Sequence, residues 1–278
     1  MKYFAPTSIS ELKELLHSDK NADYKVLAGG TDVLPRWQDN PKLKPDVLID
    51  IKKIKELSGI RESENEIIIG PLTTVQEIKK SKIIQSEFSA LTEAASQFGG
   101  VQICHRATIG GNICNASPAG DLLPGLYAHN ANIGIMGPNG NRSMSISDFI
   151  IGVGKAALEK GEIVSEIHLP RKGEKSLFYK LGLRQSMAIA VVNFAIAYEK
   201  DNANNLKSLT IAAGSVAPTI VYLESLTNAI MNGENLDGAI QLVDEDISPI
   251  DDIRTSEAYR STALKNVLKH TIKEIYVR

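Results

Sequence analysis

Val26-Leu27-Ala28-Gly29-Gly30-Thr31-Asp32-Val33 ends an apolar strand in two glycines, followed by a hydroxyl and a carboxyl side chain. Successive backbone N–H groups in such a bend converge into a nest that holds an anion. A tight turn with Thr31 as a cap is the plainer reading of the same residues. Pro35 predicts an interruption of any helix that begins at once, so the segment is not expected to be a strand–loop–helix phosphate motif. A second stretch is richer: Arg106-Ala107-Thr108-Ile109-Gly110-Gly111-Asn112-Ile113-Cys114-Asn115-Ala116-Ser117-Pro118-Ala119-Gly120-Asp121-Leu122. It sets two adjacent glycines among small hydrogen-bonding side chains and then presents Asp121. Two Gly-Gly bends from separate segments would clamp one diphosphate from both sides. Neither bend contains lysine or arginine, so peptide dipoles are expected to do most of the work on the phosphates.

Outward from these bends the chain alternates between two periodicities. Ser8 with Glu11 reads as a capping box, and Leu12, Leu15 and Leu16 supply an apolar helical face. Residues 24–28, 47–51 and 67–69 read as strands. Thr74 with Glu77 offers a further helix start, and Leu91, Ala94, Ala95 and Phe98 a further helical face. Twelve of the 21 glycines fall within residues 99–161, under a quarter of the chain. Glycine is used where backbone takes φ > 0 or approaches something closely, so this middle region is expected to be loop-rich. The polar run 170–175 is the candidate linker. Beyond it come apolar strands at 188–198 and 206–213, then helices, with Leu264, Val267 and Leu268 marking a terminal amphipathic helix. The pattern predicts a mixed α/β or α+β architecture.

Composition bounds the function classes. The 278 residues are 43% hydrophobic and 23% charged, ordinary values for a chain with its own core. Lysine plus arginine number 31 and aspartate plus glutamate 33, a net charge of -2. That balance gives no basic footprint for nucleic acid and no polybasic membrane patch. Two cysteines build no disulfide framework and suit a reducing compartment. Met1 to Pro6 lacks the long apolar stretch of a signal peptide, and the run from Met187 to Tyr198, broken by Asn193, is too short to span a bilayer. A cytoplasmic protein without membrane insertion is expected.

The two bends together resemble the FAD-binding subunit of the molybdenum hydroxylase family, whose members include xanthine, carbon monoxide and nicotinate dehydrogenases. The likeness continues through Ser117-Pro118-Ala119-Gly120-Asp121-Leu122, through Lys180 and Arg184, and through Ser248-Pro249-Ile250-Asp251-Asp252-Ile253-Arg254 to Tyr259-Arg260, so it covers essentially the whole chain. It implies an α+β fold: an FAD-binding domain of two α/β subdomains over residues 1–172, then a C-terminal α+β domain over 173–278. Carried over by position, Val26, Leu27, Ala28, Gly29, Gly30, Thr31, Asp32 and Val33 with Thr108, Ile109, Gly110, Gly111 and Asn112 would hold FAD, mainly its diphosphate. Asp121 would bind a polar group of the cofactor, Val164 would add an apolar or backbone contact, and Lys180 would approach the flavin. Gly100, or its neighbour Gly99, falls where the family places a residue against the cofactor. In the family, electrons pass from a molybdopterin-binding large subunit through two [2Fe–2S] clusters on a small subunit to FAD, and then to NAD or another acceptor. Two cysteines cannot supply the four thiolates of even one such cluster, so those centres are expected on partner chains. No catalytic base is expected here; the chain positions and tunes its cofactor.

Other motifs carry competing readings. Gly152-Val153-Gly154-Lys155-Ala156-Ala157 fits a dinucleotide-binding turn, but the βαβ context is poor and a flexible connection is the expectation. Cys104-His105 and Cys114 match no zinc or iron–sulfur spacing and are read as buried thiols. The histidines His17, His105, His129, His168 and His270 are read as surface or core residues. Asp244-Glu245-Asp246 with Asp251-Asp252 is read as a solvated face, since the alternating ligands of a calcium loop are missing. A stand-alone FAD oxidoreductase of the same cofactor fold is the alternative. It needs a substrate domain with its own proton donor, and the residues after the linker offer no clear one.

Overall fold

Strand and helix alternate at the N-terminus and build a three-stranded parallel sheet, with Val47–Asp50 between Lys2–Phe4 and Tyr24–Leu27. The structure is a computed structural model that describes residues 1–18 and 23–277. Parallel neighbours need crossovers, which the helices Ile9–Ser18 and Val33–Asp39 supply. Leu12 and Leu16 pack with Ile49 and Ile51, as the apolar face predicts. The cap of the first helix is displaced by one residue. The Ser8 hydroxyl accepts the Glu11 N–H, but the Glu11 carboxylate accepts from the N–H of Thr7.

The second helix corrects the reading of Pro35. It begins at Val33, directly after the Gly29-Gly30 bend, and holds Pro35 within its first turn. A proline there removes only an N–H that would have no intrahelical acceptor. The segment is a strand–loop–helix unit after all.

The middle of the chain forms a five-stranded antiparallel sheet in the order Ile60–Glu62, Glu66–Ile69, Ile163–Pro170, Asn132–Gly137, Gly140–Ser145. Helices between its second and fourth strands cover it. The first of them, Val75–Lys80, has a complete capping box between Thr74 and Glu77. Leu91, Ala94 and Ala95 of helix Ser89–Ser96 are fully buried, as their spacing predicts. Residues 99–161 are not loop-rich, which corrects the reading of their glycines. They contain the helices Val101–Cys104, Ile109–Asn115, Leu123–Ala128 and Ile146–Phe149 as well as two long strands. Residues 152–157 belong to a small hairpin, Ile150–Gly152 with Lys155–Ala156, which turns at Gly154 with φ 67. No helix follows it, so the dinucleotide turn is excluded. The connection is also pinned, because the Gly154 N–H donates to Ala116 O at 3.0 Å.

Residues 171–174 do link two strands, but they are tied down. Arg171 bonds Glu87 at 2.8 Å and Glu62 at 2.9 Å. Glu174 is buried beside His129, with 3.9 Å between Oε2 and Nδ1. Beyond them lies an antiparallel meander of Lys175–Gly182, Ala190–Lys200, Leu206–Gly214 and Val221–Tyr222. Both of its faces are covered. Ala195, Ala197 and Ala212 face the helices of the middle region, where small side chains let helix Leu123–Ala128 approach closely. Phe194, Ile196, Tyr198 and Ile211 face the C-terminal helices, including Glu257–Val277.

The acidic C-terminal run is more than a solvated face. Asp246 accepts from the N–H of Ser225 at 3.0 Å, and Asp244 pairs with Lys265 at 2.7 Å. Asp252 binds Arg254 and Arg260, the latter at 2.8 Å. Arg260 is 1% exposed and also donates to Val191 O and Ser215 O. Among the described residues no helix is long and apolar enough to cross a membrane.

Candidate cofactor-binding site

Strand Tyr24–Leu27, the bend after it and helix Ile109–Asn115 enclose a cleft of about 1090 Å³, closed on a further side by residues 158–164. Val26, Ala28, Gly29, Gly30, Thr31, Asp32, Val33, Thr108, Gly110, Gly111, Asn112 and Val164 all line it. Two predicted residues, Leu27 and Ile109, are not part of the lining. The side chain of Leu27 packs with Trp37 and Leu48, and that of Ile109 is fully buried in the main core.

The two bends are different objects. A Cβ on Gly29 would stand 2.0 Å from Arg106 O, so that glycine exists to let the two segments touch. Gly30 takes φ 78, which favours glycine. Among the described residues the N–H groups of Gly29, Gly30, Thr31, Asp32 and Val33 donate to no protein acceptor. These five N–H groups are donors left free by the fold. The second bend is instead the first turn of a helix capped by Thr108, and its donors are taken. Ile109 N bonds Thr73 O at 3.0 Å, Gly110 N bonds Pro71 O at 2.9 Å and Asn112 N bonds Thr108 O at 2.9 Å. Gly111 N bonds Thr108 Oγ1 at 3.1 Å. The expected two-sided clamp of peptide amides is therefore corrected: only the first segment has free amides to offer. The second segment offers side chains, above all Asn112, whose Oδ1 is buried without a partner.

Asp121 and Lys180 lie outside this lining and meet each other. Their ion pair is 2.6 Å long, with side chains 11% and 5% exposed. Burial pushes the Asp121 carboxyl up, and Lys180 opposes that shift. Lys180 also donates to Gln97 O at 3.0 Å, one residue before Phe98, which lines the cleft with Ile103 and Ala107. Gly100 is also outside the lining; a Cβ there would be 3.1 Å from Met187 Sδ in the turn between the first two C-terminal strands.

Residues 1–172 match the family described as the FAD binding domain in molybdopterin dehydrogenase, and residues 177–275 match the CO dehydrogenase flavoprotein C-terminal domain. The chain belongs to the flavoprotein subunits of the molybdenum hydroxylases. The nicotinate dehydrogenase FAD-subunit of Eubacterium barkeri is 34% identical, over 99% of this chain and 95% of that one. The xanthine dehydrogenase FAD-binding subunit of Escherichia coli O157:H7 is 31% identical, over 98% and 94%. The solved carbon monoxide dehydrogenase of Hydrogenophaga pseudoflava superposes with a TM-score of 0.89 at 30% identity, covering 97% of this chain and 95% of that one.

For a flavoprotein subunit the cleft passes a test of fit. FAD needs donors for a diphosphate, polar partners for hydroxyls and apolar surface for its rings. The free amides at 29–33, the orphaned Asn112 carbonyl and the groups Phe98, Ile103 and Leu158 meet those needs in one cavity. Among the described residues no group of three His, Cys, Asp or Glu side chains could hold a metal ion. Cys104 is buried, with Sγ 2.9 Å from Phe98 O, and burial pushes the Cys114 thiol up to about 12. Cys104 fits the reading of a buried thiol, whereas Cys114 is half-buried and lines the cleft. The sequence pattern missed Arg36, which lines the cleft together with Lys25 and Lys160. Its signal was the spacing Asp32 to Arg36, one helical turn, hidden by the supposed break at Pro35.

Proposed function

We propose that this chain is the electron-transfer flavoprotein of a three-part molybdenum dehydrogenase. It accepts electrons from [2Fe–2S] clusters on a small partner subunit and passes them to NAD or another acceptor. The substrate is oxidised on a molybdopterin-binding large subunit. One observation carries the reading: a row of unbonded peptide N–H groups at 29–33 facing an unpartnered Asn112 amide across a cleft that also has apolar surface.

Within it, the site residues hold rather than react. The amides from Gly29 to Val33 bind the diphosphate, with Thr31 beside them. Asn112 Oδ1 accepts from a hydroxyl or ring N–H. Val26 and Val164 give apolar contact. Bound there, FAD supplies a carrier that takes electrons singly or in pairs. Asp121 and Lys180, locked together beside Gln97 and near Gly100, set the charge next to the apolar end of the cleft. A division into domains at 172 and 173 is supported by the end of one family match at 172 and the start of the next at 177. A cytoplasmic location suits two unpaired cysteines. A substrate domain of its own finds little room, because both faces of the C-terminal sheet are packed.

Purification from the native source tests the proposal. The expected result is a yellow complex with molybdenum and iron in stoichiometric amount on other chains. Anaerobic mixing of the reduced complex with NAD⁺ should reoxidise the flavin. A flavin-bearing chain that elutes alone and free of both metals would contradict it.

A further inference from the structure

The free amides occupy one wall of the cleft, and that wall also carries a carboxylate. Asp32 lines the cleft, as do Asp23, Glu159 and Glu162 on the acidic side and Lys25 and Lys160 on the basic side, so a diphosphate enters a site of mixed charge in which each free cation counts. Arg36 answers this. Its Nε is 2.8 Å from Asp32 Oδ2, and its Nη2 donates to Asn115 Oδ1 at 3.1 Å. Asp32 precedes helix Val33–Asp39 and Asn115 ends helix Ile109–Asn115, so one side chain spans the two walls. Its Nη1 has no protein acceptor among the described residues. A guanidinium held by two of its nitrogens, with the third free, is pre-organised for a phosphate oxygen.

Resting on the reading of the cleft as an FAD site, we propose that Arg36 is a diphosphate-binding cation of this chain. Asp32 and Asn115 hold it in place, and Nη1 donates to the phosphates from the side that the amides leave open. It selects cofactors that carry a diphosphate. The lack of cations inside the two bends is thus made good by a residue one helical turn further on.

The test is equilibrium binding of FAD to the full apoprotein, followed by flavin fluorescence across a range of salt concentrations. Arg36→Ala should weaken binding by about tenfold or more and flatten its salt dependence, as loss of a charge-assisted bond requires. Arg36→Lys should recover part of both. Arg36 is more than half exposed, so these variants are expected to fold; Arg36→Gln, which keeps a donor for Asn115 without charge, serves as a second uncharged variant. Unchanged affinity in Arg36→Ala would overturn the proposal. So would an equal loss in Asn115→Ala and Arg36→Ala with the wild-type salt slope kept, since Arg36 would then be only a strap between helices. Failure of the wild-type chain to bind FAD would instead contradict the reading of the cleft itself.

Discussion

Gly110 and Gly111 stand side by side and answer to different constraints. A Cβ on Gly110 would lie 2.6 Å from Pro71 Cβ and 2.8 Å from Pro71 O, inside the protein's own packing. A Cβ on Gly111 meets only Thr108 Oγ1, at 3.0 Å, and otherwise stands in the open cleft. Gly110→Val is therefore expected to lower stability by about 3 kcal/mol or more through overpacking. Gly111→Val is expected to melt close to the wild type while losing FAD. Thermal melts followed by circular dichroism, beside equilibrium dialysis against FAD, check both. Wild-type FAD affinity in Gly111→Val would remove that position from the site. The doublet was legible in the sequence as a demand for glycine, but not which glycine serves the fold and which the ligand. That depends on Pro71, far away in the chain.

At the scale of elements, periodicity was readable where one principle acted alone. Thr74 with Glu77 started a helix, and the apolar strands of the C-terminal meander stood where their residues placed them. Errors arose where position within an element reversed a residue's meaning. Pro35 breaks a helix in its interior but not in its first turn, and misplacing it hid the Asp32–Arg36 pair. The acidic run was misread for a related reason: its partners, Ser225, Arg260 and Lys265, come from other elements. Arg254 first, and then Arg260, hold the Asp252 carboxyl well below the usual range. Removing it strands the buried Arg260 cation between Val191 and Ser215. Asp252→Ala is expected to cost roughly 3–5 kcal/mol, read as a lower midpoint in urea with the same slope. A midpoint equal to the wild type would return Asp252 to the solvated surface.

For the whole molecule, the seam between the middle helices and the C-terminal sheet carries a pH dependence. His129 is 2% exposed and lies edge-on to Phe88. Burial first, and the charge of Lys172 second, lower its pKa from 6.5 to about 4. A group lowered in the fold contributes stability that is complete above 6.5 and is lost as pH falls through about 4. The full loss is about 3 kcal/mol. Glu174 beside it is raised by burial, so its own contribution runs the other way and is lost as pH rises. His129→Gln should flatten the fall in melting temperature between pH 6.5 and 4. An unaltered acid limb would show that the ring is not held neutral. None of this was visible in sequence, where His129 and Glu174 are separated by three of the five strands of the middle sheet. The family likeness, by contrast, was legible at this scale because its motifs recur from the first bend to Arg260.

The central claim is that peptide N–H groups on one side of the cleft, from Gly29 to Val33, hold the diphosphate. A crystal structure of this chain grown with FAD tests it most directly. The account predicts phosphate oxygens within hydrogen-bond distance of those amides, with the amides of Ile109 to Asn112 still bonded to Thr73, Pro71 and Thr108. A diphosphate seated on the amides of Ile109 to Asn112, or outside the cleft altogether, would contradict it.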